Sequence, residues 1–121
     1  MEFFVRIGVD NSISTVMAGK PSIHFYYRHI DCESIEIVRF AKKTNLIAVV
    51  DEEALCKDEP KMNLIASYIM CRPVFGNVLI CKEGERDGEP DVVGFNAFEV
   101  TSARLAMSKV IEKSGLFERT E

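Results

Sequence analysis

Two histidines, four cysteines and a run of alternating carboxylates are the residues with the most chemistry to offer. His24 and His29 bracket Phe25-Tyr26-Tyr27-Arg28, and a histidine is the default proton shuttle or metal ligand at neutral pH. On a regular strand, residues five apart point to opposite faces, so the pair cannot share a metal. A structural or exposed role is expected, with a hydrolase or transferase using a single His24 or His29 as the weak alternative. A nucleophile needs an adjacent base and an oxyanion donor, yet there is no G-x-S-x-G and no H-E-x-x-H. Gly19-Lys20 is followed by Pro21 and has Ser14 where a phosphate-cradling loop needs its first glycine. The chain is therefore read as non-enzymatic, with no catalytic residues and no cofactor.

Glu83, Glu85, Asp87, Glu89 and Asp91 recur at every second position. Five oxygen donors at that spacing suggest a hard-cation loop, but the D-x-D-x-D-G order with its closing Glu is missing. The expectation is a hairpin with no metal, either simply solvated or a contact surface for a basic partner. Ten of the 19 acids fall between Asp51 and Asp91, which makes the middle of the chain its acidic pole. Tyr26, Tyr27 and Arg28 have the composition of a contact hot spot or a base-stacking face, although half of them should face the core if the segment is a strand.

Cys32, Cys56, Cys71 and Cys81 lie 24, 15 and 10 positions apart with no C-x-x-C pair, so neither a zinc knuckle nor a redox motif is present. Reduced thiols in the cytoplasm are expected, and a disulfide framework in a secreted domain is the alternative. The N-terminus lacks a basic region followed by an apolar one. The longest uncharged stretch, Met62 to Cys71, is ten residues against the roughly 20 that a spanning helix needs. No membrane role is expected. A net charge of −4 repels a nucleic-acid backbone and is too sparse to mimic a phosphate track of one charge per ~1.7 Å.

The elements that would position these residues follow from patterning. With 121 residues, 47% of them hydrophobic, the chain suits one domain over 1–121. Glu2 to Val9 reads as a strand entering the turn Asp10-Asn11-Ser12, and the aromatic stretch Ser22 to Arg28 as a second strand. Ser34 to Phe40 and Leu46 to Val50 read as a hairpin over the polar connection 41–45. Asn63 is placed as the N-cap of a short helix from Leu64 to Ile69. Val74 to Lys82 reads as a strand, and Asp87-Gly88 turns the chain into Val92 to Phe95. The last element is a helix capped by Thr101 or Ser102 and stopped by Gly115, with Ala103, Ala106, Met107 and Val110 at helical spacing. The expected fold is α+β: a mixed or antiparallel sheet of about five to six strands, a short middle helix, and a C-terminal helix packed on one face.

In order, Val50-Asp51-Glu52-Glu53-Ala54-Leu55, then Asn63 with Ala66-Ser67, then Arg72-Pro73-Val74-Phe75-Gly76-Asn77-Val78-Leu79-Ile80 resemble a small domain-of-unknown-function family of phages, plasmids and integrative elements. The resemblance spans roughly Ile35 to Ile80, and Ala54 and Cys71 stand where that family commonly has glycine. It implies a mobile-element context and lends no site residues.

Two functions are carried forward. The first is a non-enzymatic binding protein of a phage or mobile element that contacts a host protein and extends to inhibition of a host defence system. Its contact residues would be Tyr26, Tyr27, Arg28, Glu83, Glu85 and Asp87. The second is a protein that sequesters a small nucleotide signal in a pocket lined by aromatics and a base such as Arg28 or Lys20.

Overall fold

The computed structural model describes residues 1–40 and 44–115. Its elements are β1 (Glu2–Ile7), β2 (Ile13–Ala18), α1 (Ile23–Ile30), β3 (Ile35–Arg39), β4 (Leu46–Asp51), α2 (Leu64–Met70), β5 (Val78–Arg86), β6 (Glu89–Val93) and α3 (Ala97–Ser114), with a single 3-10 turn at Ala54–Cys56. The strands form one antiparallel sheet in the order β2-β1-β5-β4-β3, with β6 on β5. This is an α+β fold. Lys82 stands opposite both Leu46 and Val93, so β6 takes the edge of β5 that β1 occupies further down. Phe3 and Phe95 exchange backbone bonds of 2.8 and 2.7 Å and join the two.

Alternation within the strands sends side chains to two separate layers. Val5, Ile7, Ala48, Val50, Val78 and Ile80 pack under α2 and α3, while Phe4, Ile47, Val49, Leu79 and Cys81 pack under α1. Coverage on both faces explains why Leu46 to Val50 is a continuous apolar run rather than an alternating one. Each fully buried Val, Leu or Ile contributes about 1.5–3 kcal/mol relative to exposure.

The expected hairpin of β3 and β4 is present with Ile35 opposite Asp51 and Arg39 opposite Ile47; positions 41–43 of its connection lie outside the described residues. Asn63 caps α2 as expected, accepting from Ala66 N–H at 3.0 Å. Its amide also donates to the carbonyls of Ile7 and Gly76, each at 2.9 Å, so one buried side chain ties β1, the approach to β5 and α2 together.

Three expectations need correction. Ser22 to Arg28 is not a strand: Ser22 caps α1 by accepting from Phe25 N–H, and Asp31 closes it in the left-handed region at φ 63°. Tyr26 and Ile30, four apart, are both buried, and this packing outweighs the strand preference of aromatics. Thr101 and Ser102 lie inside α3, whose cap is Asn96 in a reciprocal box with Glu99. β2 adds a strand at Ile13–Ala18 where none was expected. Gly115 does terminate α3, at φ 67°.

Candidate functional site

The acidic hairpin is built by β5 and β6 themselves. Only Asp87 and Gly88 form the turn, at φ 54° and 80°, the left-handed pair that a two-residue hairpin loop requires. Glu83 and Glu85 fall on the strand face that also carries Leu79 and Cys81, the α1 side of the sheet. Beyond the reach of α1, that face holds a groove of about 690 Å³. Ile37, Pro90 and Val92 contribute its apolar surface above the buried Ile47, and Glu83, Glu85 and Asp91 its carboxylates. Ile37 is 41% exposed.

Arg39 from β3 pairs with Glu83 across the groove. Arg86 grips Asp91 at 3.0 Å and Glu2 at 2.7 Å, so the hairpin is fixed in direction rather than hanging free. Residues 83–91 carry five acids and one base. Fourteen acids and fourteen bases remain elsewhere in the chain, so the whole net charge of −4 resides in this one hairpin. A protein field localised in this way steers cationic partners toward one point.

The aromatic cluster is divided. Tyr26 is buried with its ring edge-on to Phe4 at 5.9 Å, and burial raises its hydroxyl's pKa. Tyr27 is half-buried beside His24, with ring centroids 6.0 Å apart, and Arg28 is exposed. Consecutive helical residues project about 100° apart, so the three do not share a surface. His29 sits 4.7 Å from the Phe25 ring; burial, then the charges of Arg28 and Arg6, lower its pKa. Neither histidine bonds a carboxylate among the described residues.

A second concavity of about 460 Å³ lies at the end of β4. Asp51, with a side chain only 3% exposed, holds Lys57 Nζ at 3.1 Å and accepts Glu53 N–H at 2.9 Å. The Asp51 bond raises the Lys57 pKa, and Lys57 also donates to the Asp31 carbonyl. Asp31, Glu33, Asp51 and Glu53 line this space against a single lysine that is already engaged. Such a lining repels phosphate and offers no platform for a nucleotide. Among the described residues, no three His, Cys, Asp or Glu side chains are grouped to hold a metal ion.

Sequence reasoning found the hairpin and missed Ile37, Arg39, Ile47 and Val92. Their convergence depends on the order of β3, β4, β5 and β6, which no local spacing encodes. Comparison of the chain with protein-family models, with curated proteins and with solved structures finds no match, so the functional reading rests on the residues themselves. Among the described residues, no helix is long and apolar enough to cross a membrane.

Proposed function

We propose that the protein is a non-enzymatic binding module of a phage or other mobile element, acting in the cytoplasm by direct contact with a host protein and inhibiting a host defence component. One observation carries the binding reading: an open groove on the sheet face in which apolar side chains lie among charged ones, bordered by the hairpin that holds the chain's entire net charge. Apolar area supplies affinity and localised charge supplies encounter rate and selectivity. The nucleotide-sequestering alternative has less support, because Tyr26 is core and the polar concavity at Asp51 is lined by carboxylates.

The experiment is capture from host lysate with the wild-type chain, with Ile37→Lys, and with the triple variant Glu83→Gln, Glu85→Gln, Asp87→Gln. A partner that the wild type retains, that Ile37→Lys loses, and that the triple variant binds with an association rate about tenfold lower supports the reading. Equal capture by all three proteins would overturn it. So would a small molecule found bound to each chain by native mass spectrometry.

A further inference from the structure

Among the described residues the sheet has three edge strands, β2, β3 and β6, and they are not equally protected. In an antiparallel ladder, residues bonded to one neighbour alternate with residues whose N–H and C=O point the other way. On β6, Pro90 and Val92 point outward. Pro90 has no N–H, Val92 N–H donates to Asp91 Oδ1 at 2.8 Å, and Val92 O accepts from Arg86 at 3.3 Å. On β2, the bond from Gly8 N–H to Ser12 O leaves Ile13, Thr15 and Met17 outward. Arg104 takes the Ile13 carbonyl at 3.3 Å and the Thr15 hydroxyl at 3.0 Å. Natural sheets block edge pairing with such charges and prolines.

β3 carries two exposed charges of its own, Glu36 and Arg39, but differs in having, among the described residues, no side chain bonded to its outward backbone groups. Glu52 N–H donates to Ser34 O and Phe40 N–H to Leu46 O, so Ile35, Ile37 and Arg39 turn their backbone groups away from the sheet. Among the described residues, nothing caps them. Ile37 and Arg39 also line the groove, so a strand laid on this edge would extend the groove's apolar surface.

We infer that the β3 edge is where the partner docks, adding an extended segment as a seventh strand with lysine or arginine among its side chains. This rests on the binding reading above and names its mode. Charge favours the occupant: Glu33, Glu36 and Glu52 are exposed around this edge and make no ion pair among the described residues, against Arg39, which Glu83 engages, and Arg72, which shares a concavity with Glu36 and Glu52. A second copy fits less well, because antiparallel pairing centred on Ile37 would set the two Glu36 side chains diagonally on one face, where like charges repel. Main-chain bonds along the edge supply affinity, and alternate side chains supply selectivity.

The test uses the intact, isotope-labelled protein with a heptapeptide of alternating lysine and valine as probe. Amide exchange at Ile35, Ile37 and Arg39 should slow by about tenfold or more, with Thr15, Met17 and Val92 unchanged. The peptide N-methylated along one edge, and its glutamate counterpart, should give no protection. Ile37→Pro removes one outward N–H without breaking the β3–β4 ladder and should abolish the protection; Ile35→Pro, at the start of the strand and outside the groove, replaces it if that variant does not fold. Shifts at the Ile47 and Val92 methyls with unchanged β3 exchange would overturn the edge inference and leave the groove reading standing. Concentration-dependent β3 protection without peptide, together with a dimer in sedimentation, would assign the edge to a second copy and overturn the choice of occupant. Equal host capture by the groove variants would sink the groove reading without moving the β3 result.

Discussion

Arg86 and Glu2, 84 positions apart, form a two-pronged ion pair with bonds of 2.7 and 3.0 Å. The pair fastens the acidic hairpin to the first strand. Glu2 Oε1 also accepts Gly94 N–H at 2.8 Å, so the carboxylate is held from both sides and the direction of the hairpin is set by the sheet. A steering charge works best when it is fixed relative to the surface it serves, and here the same guanidinium that fixes it also caps the β6 edge.

Acid should loosen this arrangement. The Arg86 bond holds the Glu2 carboxyl below its ordinary value of 4.5 against the opposing effect of burial, and Glu99 is lowered by its Asn96 N–H bond and then by Lys82. A carboxylate whose folded pKa is depressed stabilises the protein above the ordinary value and loses that contribution as pH falls through the folded value. Urea midpoints should therefore fall as pH drops below about 4.5. Glu2→Ala should cost about 2 kcal/mol at neutral pH and flatten part of the acid slope; a slope identical to wild type would refute the assignment.

Asn63 is the more severe weak point. It is fully buried, satisfies two carbonyls and caps α2, so Asn63→Ala should cost about 3 kcal/mol through the lost cap and two orphaned acceptors. Asn63→Asp keeps the cap but supplies no donor, and should be at least as damaging. Urea midpoints at unchanged m-value check both; a loss under about 1 kcal/mol for the alanine variant would show that water replaces the side chain.

What the sequence disclosed was local. The β3–β4 hairpin, the Asn63 cap, the Asp87-Gly88 turn and the Gly115 stop depend on neighbours within a few positions, and each is present. α1 failed because Phe25, Tyr26 and Tyr27 favour strands intrinsically, while the deciding contact, Phe4 from β1 against Phe25 and Tyr26, is distant in sequence. β2 was missed because Ile13-Ser14-Thr15-Val16-Met17-Ala18 has little contrast between its faces; all but Met17 are half-buried. The groove was illegible for the same reason as its edge: Arg39 and Glu83 meet only once strand order is known.

Cys71 occupies the left-handed closing position of α2, at φ 56°, a conformation that glycine adopts without strain. Cys71→Gly should stabilise the protein by about 1 kcal/mol, the relief of left-handed strain exceeding the extra freedom of glycine in the unfolded chain. A thermal midpoint at or below that of wild type would contradict this. Ala54 has no positive φ, so Ala54→Gly should give no such gain.

The four thiols should differ in reactivity. Burial pushes the Cys81 thiol up to about 12 and raises Cys32 less far, while Cys56 and Cys71 are exposed. Because the thiolate is the reacting form, iodoacetamide at about pH 8 should label Cys56 and Cys71 first, Cys32 later, and Cys81 only on unfolding. Peptide mass mapping over time reads the order. Cys81 reacting alongside Cys56 would mean that the α1 face of the sheet opens readily, and that the groove is not a preformed surface.

Arg104 tests whether edge protection is a property of single side chains. It is exposed, and its bonds are to the Ile13 carbonyl and the Thr15 hydroxyl, so Arg104→Ala should change stability by no more than about 0.5 kcal/mol. It should nevertheless alter association. Ile13–Ala18 contains no charged residue, and once the guanidinium is gone its outward groups at Ile13, Thr15 and Met17 are free to pair with another strand. Sedimentation of the variant should show concentration-dependent dimers that the wild type lacks, with new amide protection at Thr15 and Met17. If the variant stays monomeric, the β2 edge is closed by something other than Arg104, and the contrast that singles out β3 would lose one of its two supports.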